Sequence, residues 1–371
     1  MDLRLPTSRL TGTLASAVVA FVAGWALAAF FLPHQYPDFG VFWTAGRHAF
    51  DARLYDGAYL TAAQSWWPGM TPHPFVYPPT FLLLAWPFGQ LPFTAADYLW
   101  GGLSCAALVL AARQIVRPAW TALILPLCVP VVMAGAYGQS IFFAGAALVA
   151  GLALIERRPW LAGVLIAVAV CLKPQVAILA PLAMLGASWR AAAGAAVAGV
   201  VLFLGSLVFG LGHWFEWLAA LPRFTALVRD MRLPTVNLLQ SALPAPEKLL
   251  VVVAGVAFAA WSVRQSPAQR IVGVVCGSLC CASYAVRPDL AVLAPSALAW
   301  VLGGRTLAAW LRRLAGVALL LGLVATPFGI ALFMLASVGA ALLEPVAATG
   351  ARPTAPWSRW RPAPVLGAGP R

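Results

Sequence analysis

The sequence predicts an all-α membrane protein with many spans. Hydrophobic residues make up 62% of the 371-residue chain, charged residues make up only 9%, and the mean hydropathy is +0.87. A soluble domain carries about 25% charged residues, so this low charged fraction excludes a soluble globular protein. Apolar runs of the length that crosses a bilayer recur along the whole chain, and they predict roughly ten to thirteen transmembrane helices.

The predicted spans form one domain over residues 1–345. The first run resembles a signal peptide in its basic start, but it is as long as a true span, which favours a retained first helix. The last run is long enough for two spans broken at Pro327. The Pro- and Arg-rich tail over 346–371 is predicted to be disordered. The runs lie near 12–32, 76–93, 95–112, 119–137, 139–155, 159–173, 174–188, 191–211, 248–264, 269–285, 288–303 and 311–345.

Basic residues between the runs predict the orientation, because cytoplasmic loops carry an excess of Lys and Arg. This scattering also explains the net charge of +13 without a nucleic-acid partner. The opposite, extracytoplasmic side then receives a first outer loop over 33–75 and a second over 212–247. The basic groups assigned to the cytoplasm are Arg4, Arg9, Arg113, Arg117, Arg157, Arg158, Arg190, Arg264, Arg270, Arg305, Arg312, Arg313 and the tail arginines.

One segment conflicts with this orientation. Two full crossings by 76–93 and 95–112 would leave Arg113 on the outer side. Either the proline-rich run 76–93 is re-entrant, or Arg113 and Arg117 break the charge rule. The sequence alone leaves both alternatives open.

Polar groups at membrane depth are costly, so those that remain are candidates for function. Asp38 follows the first span, and a carboxylate there is suited to take a proton from an incoming hydroxyl. The alternative is a helix N-cap, a common role for Asp before an apolar run. Lys173, at the end of an apolar run, is either a point charge for a phosphate or a snorkelling lysine.

Arg287 and Asp289 flank a proline at the outer end of a later span. They either pair with each other, or the arginine holds an anion that the aspartate orients. Further residues could bind a sugar or an acceptor: Trp43, Tyr55, Tyr77, Gln139, Asn237 and Asp289, with the loop tryptophans Trp66 and Trp67. Gln139 and Asn237 could instead satisfy buried backbone groups. An interfacial aromatic belt is the alternative role of the aromatic side chains. The histidines are too dispersed to predict a metal site, and no glycine-rich nucleotide motif is present.

These residues, in this order, resemble a known family. The matching stretches are Asp38-Phe39-Gly40-Val41-Phe42-Trp43, then Leu54-Tyr55-Asp56, Phe75-Val76-Tyr77-Pro78-Pro79, Gly138-Gln139-Ser140, Leu172-Lys173-Pro174-Gln175, and finally Asn237 to Ser241 with Asp289-Leu290. Over roughly residues 36 to 295 the chain resembles glycosyltransferase family 87, the polyprenol-phosphate-mannose-dependent α-mannosyltransferases of the GT-C superfamily.

The resemblance implies a GT-C-like helical bundle with outer-face loops and a lipid-facing cleft. It implies inverting, cofactor- and metal-independent transfer of a hexose, mannose in the family, from a polyprenyl-phosphate donor. The acceptor would be a glycolipid or polysaccharide at the extracytoplasmic face of the inner (plasma) membrane, in cell envelope biogenesis. Asp38 matches the family's general base and Lys173 the lysine near the donor phosphate. The role of Arg287 beside that phosphate is inferred from its charge.

Two other functions stay open. A transporter or flippase for a lipid-linked sugar would need charged or broken helices near the midplane and an internal repeat, and no repeat is evident. A non-catalytic partner in envelope assembly is the second. The stretch Ala285-Val286-Arg287, where the family often has a histidine, keeps that alternative open.

Overall fold

The computed structural model describes residues 7–31, 38–66, 73–116, 119–230, 244–282, 285–303, 306–324 and 326–343. Sixteen α-helices and no β-strand occur in these ranges, which confirms the predicted all-α polytopic membrane fold. The tail over 346–371 lies outside the described residues. The helices are α1 (Thr7–Phe31), α2 (Phe39–Arg47), α3 (Gly57–Ala63), α4 (Leu82–Gly89), α5 (Phe93–Ala112), α6 (Val129–Ala136), α7 (Ile141–Leu154), α8 (Pro159–Leu172), α9 (Ala180–Ala187), α10 (Trp189–Ser206), α11 (Gly212–Asp230), α12 (Ala245–Ser262), α13 (Pro267–Cys281), α14 (Ala294–Val301), α15 (Leu307–Leu320) and α16 (Pro327–Leu342).

Four helices in the described part are long and apolar enough to cross a membrane: Thr11–Phe31, Phe93–Ala112, Trp189–Phe209 and Ala245–Ser262. The other apolar runs form shorter helices, and proline or 3₁₀ segments divide several of them. The run 119–137, for example, becomes the 3₁₀ segment Ala119–Leu127 followed by α6. The run 311–345 divides as predicted, since α16 begins at Pro327, where a missing N–H costs no helical hydrogen bond.

Helices α1 and α5 pack side by side in opposite directions. A Cβ on Gly24 would lie 2.2 Å from the Gly101 carbonyl oxygen, so only glycine permits this approach. At the end of α5, the Arg113 guanidinium donates to the Gly12 carbonyl oxygen at 3.3 Å and to the Ser16 hydroxyl at 3.1 Å. Arg113 therefore lies at the same end of the molecule as the start of α1.

This contact decides between the two alternatives for run 76–93. The helical part of that run spans only Pro79–Gly89. At 1.5 Å per residue it is about 16 Å long, roughly half of a hydrocarbon core of about 30 Å. The structure thus supports a segment that does not cross, which leaves Arg113 on the same side as the start of α1.

The predicted outer loops contain helices of their own. The first holds α2 and α3, and α2 is almost wholly buried, with Phe39 and Phe42 among its inward side chains. The second contains α11 in its first half, while residues 231–243 lie outside the described part. Both predicted outer loops are therefore at least partly helical in the described residues.

The bundle has two chemically different ends. The turn between α7 and α8 carries Arg157 and Arg158, and Arg264 follows α12; all three side chains are exposed. Close contact between Gly194 and Trp160 brings the start of α10, with Arg190, to the same place. We call this the arginine-rich end. The opposite end holds the α6–α7 turn, the end of α8 and the start of α2.

One buried arginine joins three helices at the arginine-rich end. Arg270 of α13 is 2% exposed. Its guanidinium donates to the carbonyl oxygens of Val263 (2.8 Å), Leu152 (3.2 Å) and Gln265 (3.3 Å), and it pairs with Glu156. This set of contacts holds the ends of α7 and α12 against α13.

We expect Arg270→Met to lower the free energy of unfolding by about 2 to 3 kcal/mol, because buried carbonyl oxygens lose their donor. The thermal midpoint of the detergent-purified protein measures this loss. Arg264→Met, six residues earlier and exposed, is the matched control and should leave the midpoint nearly unchanged. Equal midpoints for the two variants would contradict a stabilising role of the Arg270 contacts.

Candidate active site

Four of the predicted site residues meet at the end opposite the arginines. Gln139 donates from its amide nitrogen to the Asp38 carboxylate and accepts, through its amide oxygen, from the Lys173 ammonium at 3.2 Å. Lys173 also lies 2.5 Å from an Asp289 carboxylate oxygen. We call Asp38, Gln139, Lys173 and Asp289 the polar network.

The termini of separate elements bring the network together. Asp38 precedes α2, Gln139 lies in the α6–α7 turn, and Lys173 directly follows α8. Pro174 disfavours the helical conformation for the residue before it, and Lys173 accordingly leaves the helix with φ −151°. Asp289 lies in the 3₁₀ segment Arg287–Leu293, which links α13 to α14.

Lys173 and Asp289 form a buried ion pair. Their side chains are 2% and 0% exposed. The second carboxylate oxygen of Asp289 accepts the backbone N–H of Val286 at 3.0 Å, which further compensates the lost water. Asp289 therefore pairs with a lysine from a distant part of the chain rather than with its neighbour Arg287.

Asp38 does not act as a side-chain cap. It stands at the N-cap position of α2, but its carboxylate makes no capping hydrogen bond and faces Gln139 instead. Asp38 is half-buried, whereas the other three members of the network are buried. Burial raises the pKa of the Asp38 carboxyl above its usual range, while His73 and Lys173 act to lower it. A raised pKa brings a carboxylate closer to the range useful for a general base.

Two tyrosines extend from the network. The Ser140 hydroxyl donates to the Tyr77 hydroxyl at 3.1 Å, and the Tyr55 hydroxyl donates to the Tyr77 carbonyl oxygen at 2.8 Å. Burial raises the pKa of the Tyr77 phenol, and the carboxylates of Asp38 and Asp289 act in the same direction. Tyr77 therefore stays neutral beside the network and can offer its hydroxyl to a ligand.

Other predicted residues lie elsewhere. The Trp43 ring packs against Trp66 and Phe93 at centroid distances of 5.0 and 5.5 Å, and its indole N–H donates to the Leu91 carbonyl oxygen at 2.9 Å. These contacts give the Trp43 ring a structural role in packing. Arg287 is exposed at the start of the 3₁₀ segment that carries Asp289. Asn237 and Trp67 lie outside the described residues.

Sequence reasoning missed two buried residues of α5. The indole N–H of Trp100 donates to the Gly138 carbonyl oxygen at 2.9 Å, next to Gln139. No feature of the sequence predicts the contact between Trp100 and Gly138. Asp97, one turn earlier, is 2% exposed. The sequence signal for it is a carboxylate inside an apolar run.

No group of three or more His, Cys, Asp or Glu side chains in the described ranges is arranged to hold a metal ion. The network instead combines a half-buried aspartate, a bridging amide and a buried ion pair. Such a set can move a proton at Asp38 and present positive charge from Lys173.

Comparison with family models identifies the chemistry of this membrane protein. A model for a family of glycosyltransferases matches residues 75–288, more than half of the chain. The protein is therefore a membrane glycosyltransferase. The matching model is that of glycosyltransferase family 87, and the chain belongs to this family.

The matched range contains Gln139 and Lys173 but not Asp38, and it ends one residue before Asp289. Searches of curated proteins and of solved structures gave no match. The family match therefore does not include Asp38 or Asp289. Their assignment to the site rests on the geometry of the polar network.

Proposed function

We propose that this glycosyltransferase moves a hexose, mannose, from a polyprenyl-phosphate donor to an acceptor hydroxyl, with inversion at the sugar carbon. The acceptor is a glycolipid or polysaccharide of the cell envelope. The transfer takes place at the extracytoplasmic face of the inner (plasma) membrane and uses no metal or cofactor. The observation that carries this proposal is the chain of contacts that links half-buried Asp38 through Gln139 to buried Lys173.

Asp38 is the general base in this proposal. It removes the proton of the acceptor hydroxyl, whose oxygen forms the new bond to the sugar carbon as the bond from that carbon to phosphate oxygen breaks. Polyprenyl phosphate leaves with the electron pair. Asp38 is half-buried whereas the other members of the network are buried, which supports its role as the member that meets the acceptor.

Lys173 and Arg287 stabilise the leaving phosphate. The Lys173 ammonium donates to Gln139 and forms an ion pair with Asp289. Because Lys173 is 2% exposed, its charge acts on the phosphate by proximity rather than through a direct hydrogen bond. Arg287, exposed on the same 3₁₀ segment as Asp289, supplies a second positive charge from the solvent side. Positive charge held where negative charge develops is a large catalytic effect.

The two ends of the bundle support the proposed side of the membrane. Arg113, Arg157, Arg158 and Arg264 lie at one end, and the polar network lies at the other. By the positive-inside rule the arginine-rich end faces the cytoplasm. Transport is less well supported, because the network stands at helix termini rather than within a broken helix at the midplane.

We expect membranes that contain the protein to transfer label from radiolabelled polyprenyl-phosphate-mannose into a glycolipid or polysaccharide, with an inverted anomeric linkage. Membranes without the protein are the control. A chelator such as EDTA should leave the rate unchanged. Absence of transfer from lipid-linked mannose and from several other lipid-linked hexoses would contradict the proposal. Flipping of the labelled lipid across the membrane would be measured next.

A further inference from the structure

The orientation of the Gln139 side chain is fixed by charge. Its amide nitrogen faces the Asp38 carboxylate and its amide oxygen faces the Lys173 ammonium. The flipped amide would bring oxygen against a carboxylate and NH₂ against an ammonium, and both contacts would be repulsive. The two charged partners therefore select one orientation.

Gln139 is also closed to a substrate. It is 6% exposed, and both ends of its amide are already occupied by protein groups. A sugar hydroxyl could bind there only by breaking a contact with Asp38 or Lys173. The sugar-binding role predicted from the sequence is thus the less favourable use of this side chain.

Hydrogen bonds to backbone groups hold the turn that carries Gln139. Gly138 adopts φ +61°, a conformation that L side chains rarely take. Its carbonyl oxygen accepts the Trp100 indole N–H at 2.9 Å, and the Gln139 N–H reaches the Ala134 carbonyl oxygen at 2.9 Å. At the neighbouring position, the Phe39 N–H donates to the Tyr137 carbonyl oxygen at 3.4 Å. The last contact ties the turn to the residue that follows Asp38.

The indole itself has little freedom. Trp100 is 1% exposed, and its ring lies 5.1 Å from Phe39, 5.5 Å from Phe42 and 5.0 Å from Phe143 between centroids. Interlocked aromatic rings hold a side chain in one rotamer. The turn is therefore positioned by a rigid cluster that also contains the first residues of α2.

We propose that Gln139 is a positioning residue that couples the buried charge of Lys173 to Asp38, and that Trp100 holds Gln139 in place. The amide donor aims the Asp38 carboxylate and favours its ionised form. The ammonium behind the amide oxygen polarises that donor. This inference rests on the proposed function only where it concerns turnover, since the coupling itself is a property of the unliganded protein.

The first test needs no activity. Carbodiimide coupling of the Asp38 carboxyl, which proceeds from its protonated form, is followed by mass spectrometry across pH in the detergent-purified full chain. Removing the donor with Gln139→Ala should move the midpoint of Asp38 labelling upward by about one pH unit or more, because a hydrogen bond to the charged form favours it. His73, Lys173 and Asp289 are the other ionisable groups that act on Asp38, and they stay unchanged in this variant.

Trp100→Phe keeps an aromatic ring and removes the indole N–H, so we expect a smaller shift in the same direction. Gln269→Ala is the matched control, because Gln269 is also a buried glutamine but belongs to α13, far from the network. The midpoint of Asp38 labelling in Gln269→Ala should equal that of the wild type. Equal midpoints for wild type and Gln139→Ala would overturn the coupling even if the wild type transfers sugar.

The second test uses turnover. Gln139→Ala should lower kcat about 10- to 100-fold, change KM for the donor less than threefold, and move the acid limb of kcat/KM upward with the labelling midpoint. A rise of tenfold or more in KM at unchanged kcat and unchanged acid limb would make Gln139 a substrate ligand and overturn the inference. If the labelling midpoint shifts in a protein that transfers no sugar, the result contradicts the proposed function but supports the coupling between Gln139 and Asp38.

Discussion

Asp38→Asn is expected to lower the rate of sugar transfer by about 10³-fold or more while donor binding persists. An amide cannot take the acceptor proton, and loss of a general base costs about 10²- to 10⁴-fold. The amide oxygen of asparagine can still accept from Gln139, so the geometry of the network is kept. Transfer from the labelled donor gives the rate, and retention of labelled donor on the purified variant gives the affinity.

Asp56→Asn is the matched control for this substitution. Asp56 belongs to the same predicted outer loop and caps α3 by accepting the N–H groups of Ala58 and Tyr59. Asparagine caps equally well, so this variant should transfer at the wild-type rate. Loss of donor binding in Asp38→Asn, or a rate within tenfold of wild type, would rule out Asp38 as the base.

The second large effect is expected at Lys173. Lys173→Met leaves the Asp289 carboxylate buried without its partner, which costs about 3 to 5 kcal/mol of stability. Adding Asp289→Asn removes the stranded charge, so the double variant should regain most of the lost thermal midpoint. Transfer should stay absent in both, because the positive charge for the leaving phosphate is gone. Thermal unfolding in detergent and transfer from labelled donor separate the two effects.

Lys248→Met provides the comparison, since Lys248 is the only other lysine of the chain. It is half-exposed near the start of α12 and should tolerate the change in both measurements. A Lys173→Met variant with the midpoint of wild type would show that the ion pair contributes little stability. Recovery of transfer in the double variant would remove Lys173 from the proposed catalytic groups.

The fold class could be predicted from composition because a bilayer imposes a coarse requirement, namely many apolar runs with few charges. The lengths of individual helices could not, since prolines and 3₁₀ segments such as Ala119–Leu127 divide runs that look continuous by hydropathy. The crossing of run 76–93 was undecidable for another reason. It depended on a contact between Arg113 and Gly12, about a hundred positions apart.

The candidate residues of the network could be selected from the sequence, because burying a polar group is costly and few remain at the ends of apolar runs. Their partners could not be predicted. Adjacency suggested a pair between Arg287 and Asp289, whereas the fold brings Lys173 to Asp289 from the end of another helix. Aromatic residues were the least predictable, because the same composition suits a sugar platform and a packed cluster such as the one around Trp43.

The pairing of α1 with α5 implies an order of events during synthesis. Roughly 60 residues separate the end of α1 from the start of α5, so at about 5–20 residues per second α1 waits roughly 3 to 12 seconds for its neighbour. It can wait in lipid alone, because only 22% of its apolar window is buried in the finished protein, against 61% for α5. The helix that needs no protein neighbour is therefore synthesised first. The helix that carries Asp97 and Trp100 follows when a neighbour is already in the membrane.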